Sequence, residues 1–114
     1  GLTFKEDVPD IRNTKVVDIV KELNDYGIEV LIHDPLACPK ETAHEYGLQL
    51  TELDTVGKVD AIIYAVSHQA FTKLTPTHMA ELCNNGSGHG VLVDVKSILN
   101  RQDVEAVGLE YWSL

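Results

Sequence analysis

Val16, Ile19, Val20 and Leu23 recur at spacings of three and four, while Lys15, Asp18, Lys21 and Glu22 fall between them. One apolar stripe on a charged cylinder is the signature of an amphipathic helix. The pattern predicts a helix over residues 15–26, with Asn13 or Thr14 as its cap and Gly27 as its stop. The next run, Ile28-Glu29-Val30-Leu31-Ile32-His33, is nearly continuous in apolar residues and ends at Asp34-Pro35. Such a run fits a parallel strand covered on both faces better than a half-wet antiparallel one. Pro39 and Gly47 bracket a short helix over about 40–46, and residues 48–50 follow as a brief strand.

The clearest strand is Ala61-Ile62-Ile63-Tyr64-Ala65-Val66, which ends at the polar tip Ser67-His68-Gln69. Thr75-Pro76 starts a third helix whose core stripe is Met79, Leu82 and Cys83. Residues 84–90 read as loop, 91–95 as another strand, and the tail 108–114 as a final one. Strands alternating with helices through short connections imply right-handed crossovers and a mostly parallel sheet. The fold class is therefore α/β, a Rossmann-like three-layer sandwich, expected as one domain over residues 1–114 with no repeat or internal linker. Ligands of open parallel sheets bind beyond the carboxyl ends of the strands. That rule leaves four loops as candidates: 3–12, 33–35, 67–71 and 96–97.

Charge narrows the partners. Nine Lys and Arg against eighteen Asp and Glu give a net charge of −9, which argues against nucleic acid, whose phosphates select basic patches. The longest uncharged apolar stretch, 61–66, is far short of the roughly 20 residues that span a bilayer. Cys38 and Cys83 are the only cysteines, too few for a secreted disulfide scaffold, so a reducing cytoplasm is expected. The opening Gly-Leu-Thr-Phe, without an initiator Met or secretory signal, reads as an excised piece.

Within the first loop, Lys5 and Arg12 lie among Glu6, Asp7 and Asp10. A lysine at a strand end and the free N–H groups of a helix start both suit a diphosphate. The alternative is a solvated charged turn with Arg12 paired to Asp7 or Asp10. Gly86-Ser87-Gly88-His89-Gly90 resembles a phosphate loop but precedes a strand, the wrong order for dinucleotide binding, and is read as a connector. His33, His44, His68, His78 and His89 show no metal-ligand spacing, so no metal is expected. Both cysteines read as structural. Ser67-His68 can orient a ligand, act as a general base or cap the next turn. Lys96, just beyond a strand, points to the same crevice as Lys5 if the two strands are close.

Residues 1–15, Gly-Leu-Thr-Phe-Lys-Glu-Asp-Val-Pro-Asp-Ile-Arg-Asn-Thr-Lys, carry a further signal together with Tyr26-Gly27-Ile28-Glu29-Val30, His33-Asp34-Pro35, Glu45-Tyr46-Gly47, Ala65-Val66-Ser67-His68 with Phe71, and Asp94-Val95-Lys96. In this order they resemble the C-terminal, UDP-sugar-binding domain of the UDP-glucose/GDP-mannose dehydrogenase family. The Pro-Asp-Ile-Arg-Asn-Thr wording is most similar to the branch oxidising UDP-N-acetylhexosamines for surface polysaccharides.

The resemblance implies a three-part, homodimeric or larger enzyme: an N-terminal domain holding NAD, a central dimerisation segment and this domain. It implies oxidation of the sugar C6 alcohol to a carboxylate by two NAD, through a cysteine upstream of this domain, so the isolated chain is expected to be inactive. It implies that Phe4 and Lys5 contact the substrate and that Arg12 approaches NAD across the interdomain cleft. Lys96 stands where relatives often carry Arg, contacting substrate from a neighbouring subunit, and a lysine cannot reproduce a bidentate guanidinium contact. Asp10 is expected to orient Arg12. The rival readings are a free-standing nucleotide-sensing or assembly module, and a small hydrolase using Ser67 and His68.

Overall fold

The computed structural model describes residues 1–83 and 89–114, and its first helix, α1, spans Val16–Asp25. Thr14 does the capping: its Oγ1 accepts the Val16 N–H at 3.2 Å and donates to the Leu2 carbonyl at 2.6 Å. Helix α2 (Pro39–Tyr46) starts on its proline and ends at Gly47, whose φ of 65° is left-handed and strains any residue with a Cβ. Strand β1 (Ala61–Tyr64) leads through a 3₁₀ turn (Gln69–Lys73) to helix α3 (Pro76–Leu82), capped by the Thr75 hydroxyl. Strand β2 (Gly90–Asp94), helix α4 (Arg101–Ala106) and strand β3 (Leu109–Ser113) complete the chain. The Gly86-Ser87-Gly88 motif lies outside the described residues.

The sheet is parallel throughout, in the order β1-β2-β3, with Ile62 opposite Leu92 and Leu92 opposite Tyr111. This is the Rossmann-like α/β arrangement the alternation predicts. Leu92, Leu109 and Tyr111 present one face of the sheet to Met79 and Cys83 at the end of α3 and to Val104 of α4, forming the larger core. A second core joins Leu2, Val20 of α1 and Ile32.

Two expected strands need correction. Residues 28–33 and 48–50 do not form strands; they touch through a single parallel bridge, Ile32 to Leu50. A strand needs a hydrogen-bonded neighbour along its length. Residues 48–50 are too few to supply one, and on the opposite side residues 28–33 face a cavity of about 610 Å³ rather than β1. Ile28 and Leu31 are accordingly 49% and 44% exposed. Helix α4 is an element the apolar pattern does not announce, since Val104 is its one buried residue.

Candidate functional site

The carboxyl end of the sheet is organised around a buried carboxylate. Asp34 follows the 28–33 run, and its Oδ2 accepts the N–H groups of Leu2 at 2.6 Å and Thr3 at 3.1 Å. Its Oδ1 accepts those of Leu36 at 2.8 Å and Ala37 at 3.2 Å, the local turn that an Asp before a proline favours. Burial opposes ionisation of this carboxyl, but the Leu2 amide, the His68 ring and the Leu36 and Thr3 amides outweigh it and hold the pKa at about 2. The hydrogen bonds carry most of the compensation for this charge.

His68, fully buried just past β1, joins this centre to the first loop. Its Nδ1 accepts the Asp7 N–H at 3.0 Å, which places the ring proton on Nε2, and Nε2 donates to Asp34 Oδ2 at 2.9 Å. Thr3 Oγ1 lies 3.2 Å from the same nitrogen and donates its own proton to the Lys5 carbonyl. Both ring nitrogens are thus committed, and His68 has no lone pair left to serve Ser67 as a base. The hydrolase reading loses its histidine.

The loop itself is braced at several further points. The Phe4 N–H donates to the Asp10 carbonyl at 2.7 Å, the Gln69 N–H donates to Asp7 Oδ1 at 2.7 Å, and the Tyr46 hydroxyl of α2 donates to the Ile11 carbonyl at 2.5 Å. Asp7 and Asn13 both take positive φ, 62° and 60°, conformations that cost energy outside glycine and persist only where surroundings hold them. The loop backbone is a braced platform, and its residues 4–7 are exposed.

On that platform Phe4 is 54% exposed and Lys5 points outward, its ammonium making no hydrogen bond or ion pair among the described residues. Arg12 is paired with Asp10 as expected: Nε donates to Oδ1 at 3.0 Å and an Nη to Oδ2 at 3.1 Å. These bonds hold the Asp10 carboxyl below the usual carboxylate range. Lys96 is carried by the turn ending β2, which is tied to β1 by the Val95 N–H on the Tyr64 carbonyl at 3.0 Å. Its ammonium is equally without a bond among the described residues, and the next residue, Ser97, has a φ of 54° and donates its hydroxyl to the Leu114 carbonyl. The loop of Lys5, tied to His68 beyond β1, and Lys96, beyond β2, thus both follow the carboxyl end of the sheet.

A hollow of about 690 Å³ borders two of the expected loops, through His33, Pro35, Ala70 and Phe71. Phe4, Lys5, Arg12 and Lys96 line neither this hollow nor the 610 Å³ cavity. Cys38 is exposed at the start of α2, whereas Cys83 is buried and its thiol is pushed up by burial, which suits packing and not nucleophilic attack. Among the described residues no group of three His, Cys, Asp or Glu side chains is placed to hold a metal ion, and no described helix is long and apolar enough to cross a membrane. The residues present do not build a dinucleotide site either. The turn before α1 contains no glycine from Leu2 to Lys15, and Thr14 already occupies the Val16 N–H.

A family model, the UDP binding domain of the UDP-glucose/GDP-mannose dehydrogenase family, matches residues 1–101. The chain belongs to this family. It is 43% identical over 100 residues to a UDP-N-acetyl-D-glucosamine 6-dehydrogenase of Pseudomonas aeruginosa, covering 88% of this chain and 23% of that protein. A namesake from Salmonella typhi is 40% identical over 99 residues, covering 87% of this chain and 23% of that protein. Protein CapL of Staphylococcus aureus is 34% identical over 114 residues, covering all of this chain and 26% of that protein. The chain thus spans about a quarter of the length of these relatives. In fold it matches the crystal structure of an NDP-N-acetyl-D-galactosaminuronic acid dehydrogenase from Methanosarcina mazei Go1, with a TM-score of 0.84 at 21% identity over 99% of this chain and 23% of that one.

The braced loop lies wholly within the matched residues. The loop anchor is what the sequence did not disclose. His68 meets Asp34 and Asp7 across separations of 34 and 61 residues, and no spacing rule connects them.

Proposed function

We propose that this chain binds the diphosphate and sugar of a UDP-sugar within a longer NAD-dependent nucleotide-sugar 6-dehydrogenase. UDP-N-acetylglucosamine is the favoured substrate, because two relatives at 40% identity or more are named for its oxidation. The observation that carries the reading is the Lys5 ammonium, without a partner among the described residues, on a loop whose backbone is fixed by the buried Asp34–His68 pair. A preorganised cation loses little freedom on meeting a phosphate, so its charge is available for affinity. The net charge of −9 does not oppose this, since affinity follows the local field.

In this reading Phe4 lies against the substrate and Lys96 supplies a second cation, reaching a substrate bound by a neighbouring subunit. Arg12, aimed by Asp10, contacts NAD held by a preceding domain across a cleft. The catalytic cysteine belongs to that other part of the enzyme, so the isolated chain turns over nothing. The dimeric, cytoplasmic enzyme contributes uronic acid sugars to surface polysaccharide.

Isothermal calorimetry with UDP-N-acetylglucosamine tests the assignment. Weak binding by the isolated chain is expected to fall about tenfold or more in Lys5→Ala, the scale of one charge-assisted hydrogen bond. Binding that is unchanged in Lys5→Ala overturns it.

A further inference from the structure

The turn beyond β2 is held in a shape that its own residues do not explain. Lys96, Ser97 and Ile98 are exposed, and none of them belongs to either core. Ser97 nonetheless takes a φ of 54°, a conformation that costs energy outside glycine and persists only where surroundings impose it. What imposes it is Asp94, the last residue of β2, which is wholly buried. Its carbonyl accepts the Ser97 N–H at 3.3 Å, and its Oδ2 accepts the Leu99 N–H at 2.8 Å. One residue thus grips the turn at two points.

The grip is backed from the neighbouring strand. Tyr111 of β3 donates its hydroxyl to the same Oδ2 at 2.7 Å and lies 3.2 Å from the Leu99 carbonyl. Arg101, the first residue of α4, seats that ring: its guanidinium carbon is 4.9 Å from the ring centroid, and an Nη donates to the Tyr111 carbonyl at 3.2 Å. The Ser97 hydroxyl adds a further tie to the Leu114 carbonyl at 2.8 Å.

Packing does not account for the carboxylate. Residue 94 lies on the face of β2 that carries Leu92 into the larger core, and Asp94 Oδ1 has no hydrogen-bond partner among the described residues. An apolar residue there would fill the same face and leave no buried polar atom unpaired, the more stable choice for a sheet interior. What the carboxylate provides instead is the fixed shape of the turn. Within residues 95–98 the one charged side chain so presented is Lys96.

We propose that Asp94, backed by Tyr111, is a positioning residue for the substrate: on the reading of Lys96 given above, it sets the 95–99 turn so that the Lys96 ammonium meets the diphosphate of a UDP-sugar. A lysine root ordered in advance loses less freedom on binding. The diphosphate is remote from the sugar carbon that is oxidised, so ground state and transition state share the contact, and its loss is read in KM and not in kcat.

Three substitutions test this. Asp94→Val removes both side-chain bonds, Tyr111→Phe removes one, and Asp94→Asn keeps an acceptor at the Oδ2 position as the rescue. In the ¹⁵N-labelled chain without ligand, the heteronuclear NOE of the Lys96 and Ser97 amides is expected to fall in Asp94→Val, to fall less in Tyr111→Phe, and to stay near wild type in Asp94→Asn. In the full-length enzyme the KM for UDP-N-acetylglucosamine is expected to rise about tenfold in Asp94→Val and about threefold in Tyr111→Phe, with kcat within about twofold and Asp94→Asn near wild type. Adding Asp94→Val to Lys96→Ala is expected to raise KM no further. If Asp94→Val does not fold, Tyr111→Phe carries the same comparisons. A turn that stays ordered in the variants, or a KM effect that persists in the Lys96→Ala background, overturns the proposal. A Lys96→Ala enzyme with wild-type KM removes the reading of Lys96 and the proposal with it, whereas a KM raised by Lys96→Ala but untouched by Asp94→Val and Tyr111→Phe overturns the positioning role alone.

Discussion

Residues 28–33 and 61–66 are both largely apolar, yet only the second set contributes a strand to the sheet. β1 is laddered to β2, and β2 to β3, so β2 is paired along both edges and its Leu92 is wholly buried. The 28–33 run touches its neighbour at one bridge and leaves Ile28 and Leu31 half exposed. The difference teaches that an apolar run declares what a strand must bury but not who pairs with it. Burial and pairing are separate requirements, and the amino-terminal half meets only the first.

The comparison makes unequal demands on the two cores. Leu92→Ala is expected to cost about 4 kcal/mol in urea unfolding, and Ile32→Ala about 2, because the smaller core already borders empty space and has less packing to lose. The reverse order would break the contrast drawn between the halves.

Much of this division is legible along the chain, and the reasons for the exceptions are local. Pro39, Gly47, Thr75 and Pro76 mark helix ends because their backbone chemistry acts within one turn. The strands at 61 and 91 open on apolar runs, Glu110 interrupts the one at 109, and each has a ladder to join. Helix α4 escapes notice because six residues with one buried side chain carry no periodicity, although Asn100 caps it through the Asp103 N–H. In the site, the Arg12–Asp10 pair is readable at a spacing of two, whereas the hold of His68 on Asp34 and Asp7 is a product of tertiary folding.

Asp34 and His68 are the fastening between the halves, and acid should loosen it. The carboxyl falls from 3.8 to about 2 on folding, so the stability it contributes is complete above pH ~4 and is lost as the pH drops toward 2. That contribution is about 2 kcal/mol. Asp34→Asn is expected to be destabilised at neutral pH and to lose its slope between pH 4 and 2. A mutant as steep as wild type in that window would assign the acid response elsewhere.

The smallest effect is expected at Arg12. Its side chain is 82% exposed, and solvent screens its pair with Asp10, so Arg12→Ala should leave the urea midpoint unmoved. In the full-length enzyme the same substitution is expected to weaken apparent NAD affinity more than UDP-sugar affinity. Equal losses for both would mean that Arg12 only shapes the loop.

The account depends most on the braced loop being where a nucleotide diphosphate docks. Titrating the ¹⁵N-labelled chain with UDP should move the amide resonances of residues 3–12, with those of 67–71 and 96–97 following. Shifts confined to the far end of the sheet, around Gly90 and Leu109, or no shifts at millimolar UDP, would contradict it.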